Sequence, residues 1–283
     1  MLLSDYVMLA KPRLSSLVLL AALAGFFFGS TGNIDFVLLL ETLFGTALVA
    51  CGASALNQVL ERENDALMDR TKGRPLPSHR LEVDQVLYFG VATAVIGMLY
   101  LALCVNLPSA QWAALTLALY VFIYTPLKRI TSLNTLVGAI PGALPPLIGF
   151  AAARGELTIE AWCLFAILFA WQLPHFLAIA WIYRDDYSRA GFQMLPKVDP
   201  EGYSTGRQMA LHSLTLLPLS LLPFFLHMSG VIYMISALLM SAAFIIFALN
   251  FTFKRTDKAA RQLFLSSVAY LPLMLAVMMY DRV

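Results

Sequence analysis

Between positions 57 and 69 an oxygen-bearing side chain recurs every fourth residue: Asn57, Glu61, Asp65 and Asp69. On an α-helix four residues turn about 400°, so each side chain drifts only about 40° from the last and the four share one face. Carboxylate and amide oxygens at that pitch suit a hard cation such as Mg²⁺. Arg70 and Arg74 follow at once and Pro75 closes the stretch. Guanidinium groups beside such oxygens suit phosphate. Asn57 to Asp65 covers about 12 Å of helix axis, too far for one ion on a straight helix. Two ions sharing a diphosphate, or an unwound helix end, would reconcile that length. The plainer alternative is a solvated helix end in which Glu61 pairs with Arg62 or Arg70.

Two further groups carry chemistry. The run from Trp171 to Tyr187 holds Gln172, Pro174 and His175, then Arg184, Asp185 and Asp186. On one continuous helix His175 and Asp186 would lie three turns apart on the same face. A lone membrane histidine most often bonds a neighbouring helix. Here Gln172, Pro174 and His175 interrupt an apolar run together, which points to a binding face. The third group is Tyr124, Lys128 and Arg129. Taken alone it is a basic anchor at a membrane surface. A diphosphate held by carboxylates only through metal still needs direct cationic partners, and these residues can supply them.

The elements that position these groups are membrane helices. The chain has 283 residues, 60% hydrophobic and 13% charged, where a soluble domain carries about 25% charged residues. Stretches long enough to span, at roughly 17–25 residues each, fall near 14–31, 36–58, 85–106, 110–126, 133–152, 159–182, 208–227, 230–252 and 263–280. The expected fold is all-α, a single domain over 1–283, with nine transmembrane helices around a central cavity. Of the 19 Lys and Arg, all but Arg154 and Arg282 fall in segments 1–13, 59–84, 127–132, 183–207 and 253–262. That asymmetry predicts N-in, C-out, with the polar groups facing the cytoplasm. Lys11-Pro12-Arg13 precedes a run better read as a first span than as a cleaved signal, and no Arg/Ser-rich extension is present, so a bacterial inner membrane is expected. Cys51, Cys104 and Cys163 show no metal spacing and fit small packing residues. No nucleic-acid partner is expected.

The spans are not plain lipid-facing runs. Gly45, Ala50, Gly52, Ala53 and Ala55 in the second let helices approach closely. Gly138, Pro141, Gly142, Pro145, Pro146 and Gly149 predict a bent or broken fifth span. The two longest inside loops, after the second and sixth spans, both begin with acidic residues and both contain Leu-Pro, at Leu76-Pro77 and Leu195-Pro196. This hints at a four-helix internal repeat.

In the three polar segments the chain resembles the UbiA superfamily of intramembrane prenyltransferases. Asn57, Glu61 and Asp65 match that family's N-x-x-x-D-x-x-x-D motif, with Glu in the middle place, and Arg70-Thr71 and Arg74-Pro75 follow. Tyr124, Lys128 and Arg129 match its Tyr-x-x-x-Lys-Arg. Within the family it is most similar to the branch that prenylates haem, by Trp171-Gln172-Leu173-Pro174-His175-Phe176 and by Asp186-Tyr187, Ala190-Gly191 and Met194-Leu195-Pro196. The resemblance implies farnesyl diphosphate as donor, haem B as acceptor and a site within the lipid bilayer. It implies Mg²⁺ on Asn57, Glu61, Asp65 and Asp186, with Asp185 beside them. Arg70, Arg74, Lys128, Arg129 and Arg184 would bind diphosphate, Tyr124 and Gln172 would line the substrate site, and His175 would face the acceptor. The alternatives are an aromatic or quinone acceptor in the same family, and an ion-coupled transporter. A transporter places its charges near the midplane, whereas these gather at one surface. A phosphatidyltransferase lacks support because its D-G-x-x-A-R pattern is absent.

Overall fold

Apolar runs with polar caps set the helices. Asp35 accepts from the backbone N–H of Val37 and Leu38, and Asn106 from that of Ser109, so the second and fourth spans start there. Lys11 takes a left-handed turn (φ 47°) that separates a short N-terminal helix, Leu2–Leu9, from the first span. The computed structural model describes residues 2–283. Among them nine helices are long and apolar enough to cross a membrane: Pro12–Gly29, Phe36–Ala66, Val83–Val105, Leu107–Leu127, Asn134–Arg154, Ile159–Ile182, Tyr203–Phe225, Val231–Lys254 and Asp257–Tyr280.

The count matches the hydropathy reading, and the bounds differ where a helix outlasts its apolar stretch. The second-span helix runs on to Ala66 instead of ending at 58. The ninth starts at Asp257 because Thr256 caps it through the Ala259 N–H, not because the chain turns apolar. The fifth span is broken as its prolines require, into Asn134–Ala143 and Pro145–Arg154. Fifth and sixth are the most buried spans, 72% and 67% of their apolar windows, so they form the centre of the bundle. Glycine lets the first span cross the fifth. A Cβ on Gly149 would lie 1.9 Å from the Ala22 carbonyl oxygen, and one on Gly25 1.9 Å from that of Pro146. Without a hydrophobic force between helices in lipid, such backbone approach is what binds them. Cys163 is buried in the core, while Cys104 is exposed on the third span.

A π-helical turn, Leu119–Tyr124, interrupts the fourth span. There the Thr125 N–H reaches the Tyr120 carbonyl, five residues back instead of four.

The sixth-span helix stops at Ile182. Tyr183 leaves helical geometry (φ −110°, ψ 24°) and a separate short helix, Arg184–Arg189, follows. The single face expected to carry His175 and Asp186 is therefore not formed. The two long loops are packed rather than free. Met68 from one meets Ala190, Phe192 and Met194 from the other, against Ala180. Asn64 Nδ2 donates to the Ala190 carbonyl (2.7 Å), and the Gln193 N–H to that of Lys128 (2.7 Å). The N-terminal helix joins them through Asp5, which is 2.8 Å from Arg80 Nε.

Candidate active site

Asn57, Glu61 and Asp65 are 1%, 4% and 0% exposed. Buried charge must be compensated and a buried amide hydrogen-bonded, and each of the three has a basic partner. Lys11 Nζ donates to Asn57 Oδ1 (3.0 Å), Lys128 Nζ lies 2.8 Å from Glu61 Oε1, and Arg74 Nη1 lies 2.5 Å from Asp65 Oδ2. Asn57 Nδ2 donates to Thr125 Oγ1 (3.1 Å). Asp69, expected as the fourth member, is outside the row because the helix ends at Ala66. It is exposed and paired with Lys72 and Arg189, both at 2.7 Å.

These neighbours set the charges. Burial works against the Lys128 ammonium, but Glu61, Tyr124 and Tyr120 outweigh it and hold its pKa well above the usual lysine range. Lys11 has the opposite balance. Burial, with Arg74 close by, brings it down to about 7 despite Glu61. The hydrogen bond from Lys72, then the charges of Lys72 and Arg189, lower the Asp69 carboxyl.

The expected shared metal cluster of Asn57, Glu61, Asp65 and Asp186 is not assembled. Among the described residues no three His, Cys, Asp or Glu side chains converge on one point. Each carboxylate is held by its own cation instead. Asp186 is paired with Arg189 and accepts the Arg70 N–H at 3.4 Å. The donor set nonetheless fits a hard divalent cation, because Asp65 Oδ1 is buried with no hydrogen-bond partner, as are Gln58 Oε1 and Asn64 Oδ1 on the same helix.

The remaining cations divide. Arg70 lies over the rings of Tyr183 (4.8 Å) and Tyr187 (5.6 Å) and donates to Tyr187 Oη (3.0 Å), beside Asp186. Arg129 donates to the Leu60 carbonyl (2.7 Å), next to Glu61 within the row. Arg184 turns away toward the ninth span, where Asp257 lies 2.7 Å from it, and it covers the Trp181 ring. Asp185 is exposed and has no partner among the described residues. The break at Tyr183 and the carboxylate of Asp257 account for both placements.

Below the charged row lies a cavity of about 270 Å³, mostly apolar. Lys128 and Tyr124 line it where the fourth span ends, with Lys128 Nζ 4.6 Å above the Tyr124 ring. Gln172 and His175 line it two to three turns inside the end of the sixth. Gln172 Nε2 donates to the Leu168 carbonyl (3.0 Å) and its Oε1 fills the space over Gly142, where a Cβ would lie 1.9 Å away. His175 Nδ1 meets Ser267 Oγ at 2.6 Å. Lys11, Thr125 and Ser267 went unremarked as site residues in the sequence. Lys11 carried a signal, standing beside Pro12 at the same membrane surface as the row; Ser267 carried none.

Residues 18–271 match the UbiA prenyltransferase family. A protoheme IX farnesyltransferase from Solibacter usitatus (strain Ellin6076) is 51% identical over 98% of this chain and 98% of its own. One from Salinibacter ruber (strain DSM 13855 / M31) is 44% identical over 98% and 98%. Two solved structures share the fold. A digeranylgeranylglyceryl phosphate synthase has a TM-score of 0.79 at 17% identity, covering 99% of this chain and 98% of that one. A UbiA homologue from Archaeoglobus fulgidus, bound to DMAPP and Mg²⁺, has 0.69 at 18%, covering 97% and 99%.

Proposed function

The chain belongs to the UbiA prenyltransferase family, and on that premise we propose that it transfers the farnesyl group of farnesyl diphosphate to a vinyl group of haem B, with addition of water, giving haem O. Its full-length relatives are named protoheme IX farnesyltransferases, which supports farnesyl transfer to haem. The observation that carries the reading here is the single cavity joining Lys128 and Tyr124 to Gln172 and His175. The Lys128 ammonium in its lining suits a diphosphate, and apolar walls suit an isoprenoid chain. The deeper polar pair faces the place where an acceptor must meet that chain.

The residues divide the work. Lys128 and Arg74, now opposite Glu61 and Asp65, can turn to diphosphate oxygens, as can Arg70 and Arg129 at the rim. Charge-assisted hydrogen bonds from them stabilise the charge developing on the leaving group. Mg²⁺, the metal bound with DMAPP in the Archaeoglobus homologue, supplies further neutralisation of that diphosphate when bound. Asp65, Asn57, Glu61 and Asp186 would hold it once the cations that now pair with them turn away. Tyr124 holds the Lys128 ammonium over its ring. The apolar walls exclude water from the allylic cation until the vinyl group is in place.

The Lys and Arg asymmetry supports a bacterial inner-membrane protein whose site faces the cytoplasm. The test of the activity is direct. The purified chain, given farnesyl diphosphate, haem B and Mg²⁺, should yield the hydroxyethylfarnesyl product by mass. Product from an aromatic acceptor, and none from haem, would refute the assignment.

A further inference from the structure

Ser267 ties the ninth span to the sixth by two bonds. Trp171 Nε1 donates to its carbonyl oxygen (3.0 Å), and one turn further on His175 Nδ1 meets its Oγ (2.6 Å). A bond between a hydroxyl and a ring nitrogen can run either way. Here the hydroxyl's own hydrogen decides the direction. Ser267 Oγ donates to the Phe264 carbonyl at 2.5 Å, and a hydroxyl has only one hydrogen to give. His175 is left the oxygen's lone pair, so Nδ1 carries the ring hydrogen and donates it. A neutral imidazole has one N–H, and Nε2 therefore keeps its lone pair.

The surroundings hold that arrangement still. The His175 ring stacks on Trp171 (centroids 5.1 Å apart, planes at 22°) and lies against Phe264 (5.2 Å). Ser267 is fully buried. Nε2 has no hydrogen-bond partner among the described residues, and His175 lines the central cavity.

We infer that Ser267 is a positioning residue: it locks His175 in the Nδ1–H form and presents the Nε2 lone pair to the cavity as the acceptor of the proton released when water captures the prenylated cation. The role rests on the farnesyl-to-haem reading above. In that step the water oxygen forms a C–O bond to the cationic carbon, one of its O–H bonds breaks, and the proton goes to Nε2. The products are the alcohol and an imidazolium, which returns the proton to solvent before the next turnover.

The experiment is ¹⁵N NMR of histidine-labelled full-length protein in lipid, without substrate. The His175 signals are assigned by their loss in His175→Gln. The expected spectrum has a protonated Nδ1 and a lone-pair Nε2. Ser267→Ala should mix the two forms and lower the rate of haem O formation about tenfold, a part of the roughly 10²–10⁴ that a general base contributes, while farnesyl diphosphate affinity stays unchanged. A protonated Nε2 in the unmodified protein overturns the inference, and so does Ser267→Ala with tautomer and rate both retained. Should Ser267→Ala fail to fold, the unmodified spectrum decides alone. The expected tautomer in a chain that makes no haem O would refute the activity and leave the lock standing.

Discussion

Replacing Lys128 by Met removes the ammonium that Glu61 needs. The two groups are 2.8 Å apart and their side chains only 13% and 5% exposed. At an effective dielectric of about 20 the gross attraction is about 6 kcal/mol. Much of that offsets desolvation, and breaking a buried pair from one side typically costs about 3–5 kcal/mol because the other charge is stranded. Lys128→Met should therefore lower the thermal midpoint in detergent by roughly 6–10 °C, at about 2 °C per kcal/mol for a chain of this size. Glu61→Gln should destabilise similarly by stranding the ammonium. The double variant should lose less than the sum of the two single losses, since neither charge is then left stranded opposite a neutral partner. All three should lose turnover, because the diphosphate has lost a charge-assisted bond or the row an oxygen. Unfolding followed by circular dichroism at one scan rate gives the cycle. Strictly additive losses, or a fully stable Lys128→Met, would show that the pair is not mutually compensating.

Asp65→Ala should abolish turnover and weaken diphosphate binding with the fold kept, whereas Asp69→Asn, outside the row, should leave kcat near the parent value. Equal effects in the same assay would restore Asp69 to the row. His175→Ala should cut haem O formation by about 10²–10⁴-fold while farnesyl diphosphate titrations stay unchanged; equal loss of both would move His175 to the donor site. Gly149→Leu drives a side chain into the Ala22 carbonyl and should cost at least about 1–3 kcal/mol, seen as loss of the monodisperse peak on size exclusion. Cysteines placed in loops 67–82 and 183–202 should resist impermeant thiol reagents added from the periplasm; labelling in intact cells would invert the topology.

What could be read ahead of the structure was whatever depends on local composition. Nine apolar runs became nine spans, and the prolines around Leu144 broke the fifth. Hydropathy is blind to a helix that continues past the bilayer, so the end at Ala66 was missed and Asp69 was grouped with residues it does not join. The break at Tyr183 has neither Gly nor Pro to announce it. Partner choice is longer in range still. Lys11 is 46 positions from Asn57 and Ser267 is 92 from His175, and no spacing rule reaches that far. Arg184 looked equivalent to Arg70 until Asp257 was placed beside it.

The π turn in the fourth span has a bearing on which insertions and deletions the chain can absorb. An α-helix that loses one residue rotates everything after it by about 100°. A π turn already holds one residue in surplus. Deleting one position within Leu119–Tyr124 would relax it to an α turn and leave Thr125 and Lys128 on their present faces. The same deletion at Ala113 or Ala114 would swing Thr125 off Asn57 and Lys128 off Glu61. Chain length in this span is free to drift at one place only, the turn from which the Tyr120 carbonyl accepts the Thr125 hydroxyl.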